Sequence, residues 1–134
     1  MNTFKDATTE EINAIMEQSW NAFETYRTFS LQQRAGFIHA IATALGSISE
    51  AVVAAAMKET HLPEPRLNNE LTRTIFQLNS YADACKQGNW IEARIDTAIT
   101  ERNPSKPDLR KMLVPLGPVV VFGASNFPFA YSTA

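Results

Sequence analysis

The segment Pro118-Val119-Val120-Val121-Phe122-Gly123-Ala124-Ser125-Asn126-Phe127-Pro128 sets the architecture expected of this 134-residue chain. Four consecutive apolar residues, 119 to 122, carry the pattern of a strand in a sheet covered on both faces. Such strands need parallel neighbours joined by crossover helices. Gly123, Ala124, Ser125 and Asn126 are small or polar and suit a tight turn, and Pro128 falls where the first turn of a helix tolerates a missing N–H. The sequence reaches Ala134 without encoding another such strand, so the expectation is an α/β protein of which this is the front end.

Working back from that segment, the pattern becomes helical. Thr8-x-x-Glu11 and Ser30-x-x-Gln33 have the form of capping boxes, in which the hydroxyl and the longer polar side chain satisfy exposed N–H groups reciprocally at a helix start. They predict a first helix over about 9–26, with Ile12, Ile15, Met16, Phe23 and Tyr26 on one stripe. The second helix carries Leu31, Ala35, Ile38, Ile41, Ala42 and Leu45 on one face and stops at Gly46. Ser47-x-x-Glu50 predicts a third cap and a helix through Val53, Ala56 and Met57 to about Glu59. The prolines of His61-Leu62-Pro63-Glu64-Pro65 break helical geometry, and a fourth helix follows over about 65–86, with Leu67, Leu71, Ile75, Leu78, Ala82 and Cys85 on its apolar face and Gly88 ending it. From Trp90 to Thr100 the apolar residues alternate with charged ones, as in a half-solvated strand. Residues 103–108 read as a turn, 109–114 as a second strand and 119–122 as the third.

Composition narrows the functional classes. Twelve basic residues against fourteen acidic ones give a net charge of −2 without a basic cluster, which argues against a nucleic-acid partner. No apolar run approaches the ~20 residues that span a bilayer, and the acidic, amphipathic start is unlike a secretory signal, so no membrane partner and a cytoplasmic location are expected. The lone Cys85 cannot form an internal disulfide and sits on an apolar helical stripe, where a thiol packs as a small hydrophobe. His39 and His61 are too scattered for a metal site. Glu64 and Glu70 are read as acidic groups complementing the start of the fourth helix.

Asn126 stands out chemically. A carboxamide at a strand-to-helix turn can donate N–H to a developing oxyanion, and it can equally cap the helix that follows. Phe127 and Tyr131, four residues apart, fall on one face of that helix, where two aromatics would pack it on its sheet. The small-residue turn at a strand's carboxyl end is the place where α/β folds bind ligands, although Gly-Ala-Ser-Asn is not a dinucleotide fingerprint.

Pro115, Gly117, Pro118, Val119, Val120, Asn126, Phe127 and Pro128 resemble the segment that leads out of the first cofactor-sheet strand in the aldehyde dehydrogenase superfamily. With Ala124-Ser125 in place of Pro-Trp, the string is most like the α-ketoglutaric semialdehyde (2,5-dioxovalerate) and NADP-linked fatty aldehyde branch. The resemblance implies an α/β fold of four amino-terminal helices and strands that begin a Rossmann-type domain. Residues 1–89 would be a helical layer, 90–114 an oligomerisation arm, and 115–134 the opening of the dinucleotide-binding sheet. It implies a parent that oxidises an aldehyde to a carboxylate with NAD or NADP through a cysteine thioester. In that parent Asn126 is the oxyanion donor, Phe127 and Tyr131 border the aldehyde pocket, and Phe122, Gly123, Ala124 and Ser125 lie along the cofactor. The nucleophilic cysteine and glutamate base lie beyond residue 134, so this chain alone is expected to be inactive. Its implied partners are the remainder of the enzyme chain, a small aldehyde and further copies in a homo-oligomer. The rival reading is a helical interaction module without an enzymatic parent, whose last strand augments a partner's sheet.

Overall fold

The computed structural model describes residues 5–133. It contains four helices, α1 (Thr9–Tyr26), α2 (Leu31–Ser47), α3 (Ser49–Thr60) and α4 (Glu64–Gln87), and a two-stranded sheet of β1 (Arg94–Asp96) and β2 (Leu109–Lys111), with short 3₁₀ turns at Asn89–Ile91 and Ala130–Ser132. The chain divides into two compact units, Met1–Phe29 with Pro115–Val120, and Ser30–Val114 with Val121–Ala134.

In the first unit α1 begins at the expected capping box. Thr8 Oγ1 accepts the Glu11 N–H at 3.2 Å, and Glu11 Oε2 accepts the Thr8 N–H at 2.8 Å. The amphipathic stripe of α1 remains largely open: Ile12, Ile15, Met16 and Trp20 are exposed. Trp20 and Phe23 are in tilted contact, with ring centroids 5.4 Å apart. Gly117 has φ +129, a conformation side chains rarely adopt, and a Cβ there would meet Trp20 at 3.4 Å.

In the second unit α4 is the central element, packed against both α2 and α3. Its apolar stripe supplies Leu67, Leu71 and Ala82, which are buried together with Ala35 and Ala42 of α2 and Val53 and Ala56 of α3. Ser30 and Gln33 form the second capping box. His39 ties α2 to α4, its Nδ1 hydrogen-bonded to Asn79 Oδ1 at 2.9 Å while Nε2 faces Asp83 Oδ1 at 3.6 Å. Gly88, at φ +75, ends α4 in the left-handed conformation expected of it.

Two helix signals fail for a local reason. Gly46 does not stop α2, which runs on through Ser47, and the break falls at Ile48 (φ −111, ψ 16). Helix α3 therefore starts at Ser49, which moves Glu50 to the second helical position and out of reach of a capping box. Ser47 Oγ instead donates back to the Ala44 carbonyl at 2.7 Å. The left-handed stop lies one helix later, at His61 with φ +59.

The strand expectations shorten. Trp90 and Ile91 lie in a 3₁₀ turn, and Arg94–Asp96 pairs with Leu109–Lys111, antiparallel, with Ile95 opposite Arg110. A bridge between Ile99 and Lys106 and the Lys106–Asp96 ion pair close the hairpin. The third strand is not formed. Residues 119–122 are unpaired, and Phe122 is 91% exposed. A strand is held by its neighbours, and the described residues contain none in position to pair with it.

Candidate functional site

The turn that follows the unpaired segment is held from one side by the first two turns of α4. Residues 124–127 form a four-residue turn in which the Phe127 N–H donates to the Ala124 carbonyl at 3.1 Å, with Ser125 and Asn126 at its corners. Arg66 Nη2 donates to the Asn126 carbonyl at 2.6 Å. The same guanidinium lies over the Phe127 ring, 5.1 Å from its centroid, a cation–π contact.

One turn further along α4, Glu70 grips the next stretch of chain. Its Oε1 accepts the N–H groups of both Phe129 and Ala130, at 2.8 and 2.9 Å. These are the orphan donors at the start of the Ala130–Ser132 3₁₀ turn, so Glu70 caps it from a distant part of the sequence. Hydrogen bonds to a buried carboxylate are worth roughly 1.5–3 kcal/mol each, and Glu70 is only 7% exposed. Its second oxygen, Oε2, is buried without a hydrogen-bond partner among the described residues. Phe129 packs on the cluster of Val53, Ala56, Leu67 and Leu71, and Ala130 is buried.

The candidate residues separate accordingly. Phe122, Gly123, Ala124, Ser125 and Asn126 are exposed, and Phe127 is half-buried. Phe127 and Tyr131 lie side by side with ring centroids 5.3 Å apart. Asn126 is not a helix cap: the 3₁₀ turn begins at Ala130 with Phe129 in the cap position and no side-chain cap. No α-helix starts at Pro128, because the backbone of residues 127–129 turns rather than coils. Among the described residues the Asn126 carboxamide has no hydrogen-bond partner. Among the described residues no group of three His, Cys, Asp or Glu is placed to hold a metal ion, and no single helix is long and apolar enough to cross a membrane. Cys85 is partly buried, with Sγ 3.9 Å from the Leu31 carbonyl.

Sequence reasoning missed Arg66 and Glu70. Glu70 is not near enough to the helix start to serve as a dipole acid, since Glu64 occupies the first turn. A signal was present. Positions 67, 70, 71 and 74 form one buried face of α4, and a carboxylate on a core-facing stripe requires a donor from elsewhere in the fold.

Four helices and a small two-stranded sheet are consistent with the family that the chain matches. The model of the aldehyde dehydrogenase family fits residues 1–134, and the chain belongs to that family. It is 41% identical over 132 residues to the alpha-ketoglutaric semialdehyde dehydrogenase of Acinetobacter baylyi and 42% identical over 132 residues to alpha-ketoglutaric semialdehyde dehydrogenase 2 of Azospirillum brasilense, in each case over 98% of this chain. The chain spans about a quarter of the length of these relatives, 25% in both.

Proposed function

We propose that this chain is the amino-terminal part of an enzyme that oxidises an aldehyde, of the semialdehyde class, to a carboxylate with NAD or NADP. The observation that carries the reading is the Asn126 turn: an exposed carboxamide without a competing partner among the described residues, with its backbone carbonyl held by Arg66 and the chain just beyond held by Glu70. A donor that is already oriented stabilises a developing oxyanion at little reorganisation cost, and one such donor is worth on the order of 10²–10³ in rate. Asn126 supplies that donor to the tetrahedral adduct formed when a cysteine outside these residues attacks the aldehyde. Phe127 and Tyr131 offer an aromatic wall to the substrate.

The residues present also fit a dinucleotide. Phe122, Gly123, Ala124 and Ser125 are exposed, and three of the four have small side chains, so their backbone is open to a flat ligand. When bound, the nicotinamide accepts the hydride released as the aldehyde carbon is oxidised. The exposed apolar residues 119–122 support a place inside a larger Rossmann-type sheet, because an unpaired apolar strand is an aggregation hazard unless something covers it. The hairpin of β1 and β2 would then form an arm between copies of a homo-oligomer.

Family membership favours this reading over a non-enzymatic helical module. The test is an assay of aldehyde-dependent NAD(P)H formation by the 134-residue chain and by the complete enzyme chain that carries it. The complete chain turns over and the 134 residues do not. Robust turnover by the 134 residues alone would show that the nucleophile and base need not come from elsewhere.

A further inference from the structure

We infer that Glu70 and Arg66 are positioning residues for the Asn126 donor, and that α4 sets the geometry of the oxyanion site from outside it. The inference rests on the function proposed above for Asn126. The hydrogen bonds of these two side chains to the turn go to its backbone. Arg66 holds the Asn126 carbonyl and the Phe127 ring, and Glu70 holds the N–H groups three and four residues further on. The chain is therefore held at the Asn126–Phe127 peptide and again two and three peptides downstream by two residues one helical turn apart on α4. Upstream of the turn nothing comparable restrains it among the described residues, since 119–123 carry no regular pairing.

Three features argue that this clamp is more than general packing. Glu70 directs one oxygen at two backbone donors and leaves Oε2 buried without a partner among the described residues. A carboxylate kept on the core face of α4 at that cost is explained by the donors it fixes. Phe129 and Ala130, the residues it grips, are also the point where the tail meets the core, which makes the register of the turn depend on α4. Finally, a displacement of about 1 Å in a positioned group can cost on the order of 10²-fold in rate, so a clamp on the backbone is sufficient to control the donor.

The test uses the complete enzyme chain. Asn126→Ala lowers kcat on the order of 10²–10³-fold. Glu70→Ala lowers kcat roughly 10–100-fold with KM for NAD(P) unchanged. Added to Asn126→Ala it costs less than about 3-fold more, because the donor it positions is already gone. Glu70→Gln keeps an acceptor for both N–H groups at the same place and recovers most of the loss. It also serves as the second variant if Glu70→Ala does not fold. Arg66→Ala behaves as Glu70→Ala does, with a smaller loss.

Equal losses from Glu70→Ala in the wild-type and Asn126→Ala backgrounds, or no loss in either, overturn the positioning role while leaving the oxyanion assignment intact. If Glu70→Ala does not fold, a Glu70→Gln variant as slow as Asn126→Ala overturns it too, since the retained acceptor then restores nothing. An Asn126→Ala enzyme with unchanged kcat overturns the oxyanion assignment, and the positioning role falls with it.

Discussion

The core-facing apolar stripe of α4 and the apolar residues of 112–122 meet opposite environments. Leu67 and Ala82 are 0% exposed and Leu71 is 3% exposed, whereas Leu116 is 96% and Phe122 91% exposed. The difference lies in what each kind of element needs. An amphipathic helix satisfies its own backbone and has one stripe to cover, and α2 and α3 lie close in sequence to do it. A strand that is apolar on both faces needs a layer on each side and hydrogen-bonding neighbours at both edges. The first requirement is met within residues 30–87; the second is not met among the described residues.

Substitutions in the two regions test this contrast most directly. Leu67→Ala removes a fully buried side chain beneath Phe129 and should destabilise the chain by about 2–5 kcal/mol, read as a shift in the denaturant midpoint. Val121→Thr, at a position 58% exposed, should stay within about 0.5 kcal/mol. A comparable loss at both positions would show that residues 119–122 are buried in solution and would break the comparison.

A smaller effect separates two serines with the same sequence signature. Ser30 Oγ accepts the Gln33 N–H and caps α2, so Ser30→Ala should cost about 1 kcal/mol. Ser47 lies inside α2 and caps nothing, and Ser47→Ala should be close to neutral. Thermal melts of the two variants check the pair, and equal losses would return Ser47 to the role of a cap.

The smallest effect belongs to the hairpin. The Glu101 carboxyl is held below its ordinary value, first by its backbone hydrogen bond and then by the Thr100 hydroxyl, which donates to Oε1 at 2.9 Å. A depressed folded-state pKa contributes stability that is present above the ordinary glutamate value and lost as pH falls through the lowered one. An NMR titration should find a Glu101 midpoint below that of an unstructured glutamate. An unshifted midpoint would mean that this turn is not held in solution.

The helices were legible because their signals are local. Capping side chains at Thr8 and Ser30, periodic apolar residues and the left-handed Gly88 act within one or two turns, and the chain carries them wherever it folds. The Ser47 signal failed by one residue, since α2 continued past Gly46 and shifted where α3 could begin. In the site, the Asn126 turn could be located from Gly123 to Pro128, but not the helix that holds it. Arg66 and Glu70 are about sixty residues away in sequence, and no periodicity records which distant backbone groups a side chain meets.

The amino-acid order thus settles where the helices run, where most of them stop and which short segment carries the carboxamide, because those outcomes rest on hydrogen bonds and apolar spacing within a few residues. Whether an apolar run becomes a strand, and which carboxylate clamps the turn, depends on partners brought close through folding. Pairing and burial are properties of two segments together, and neither segment encodes the other's position.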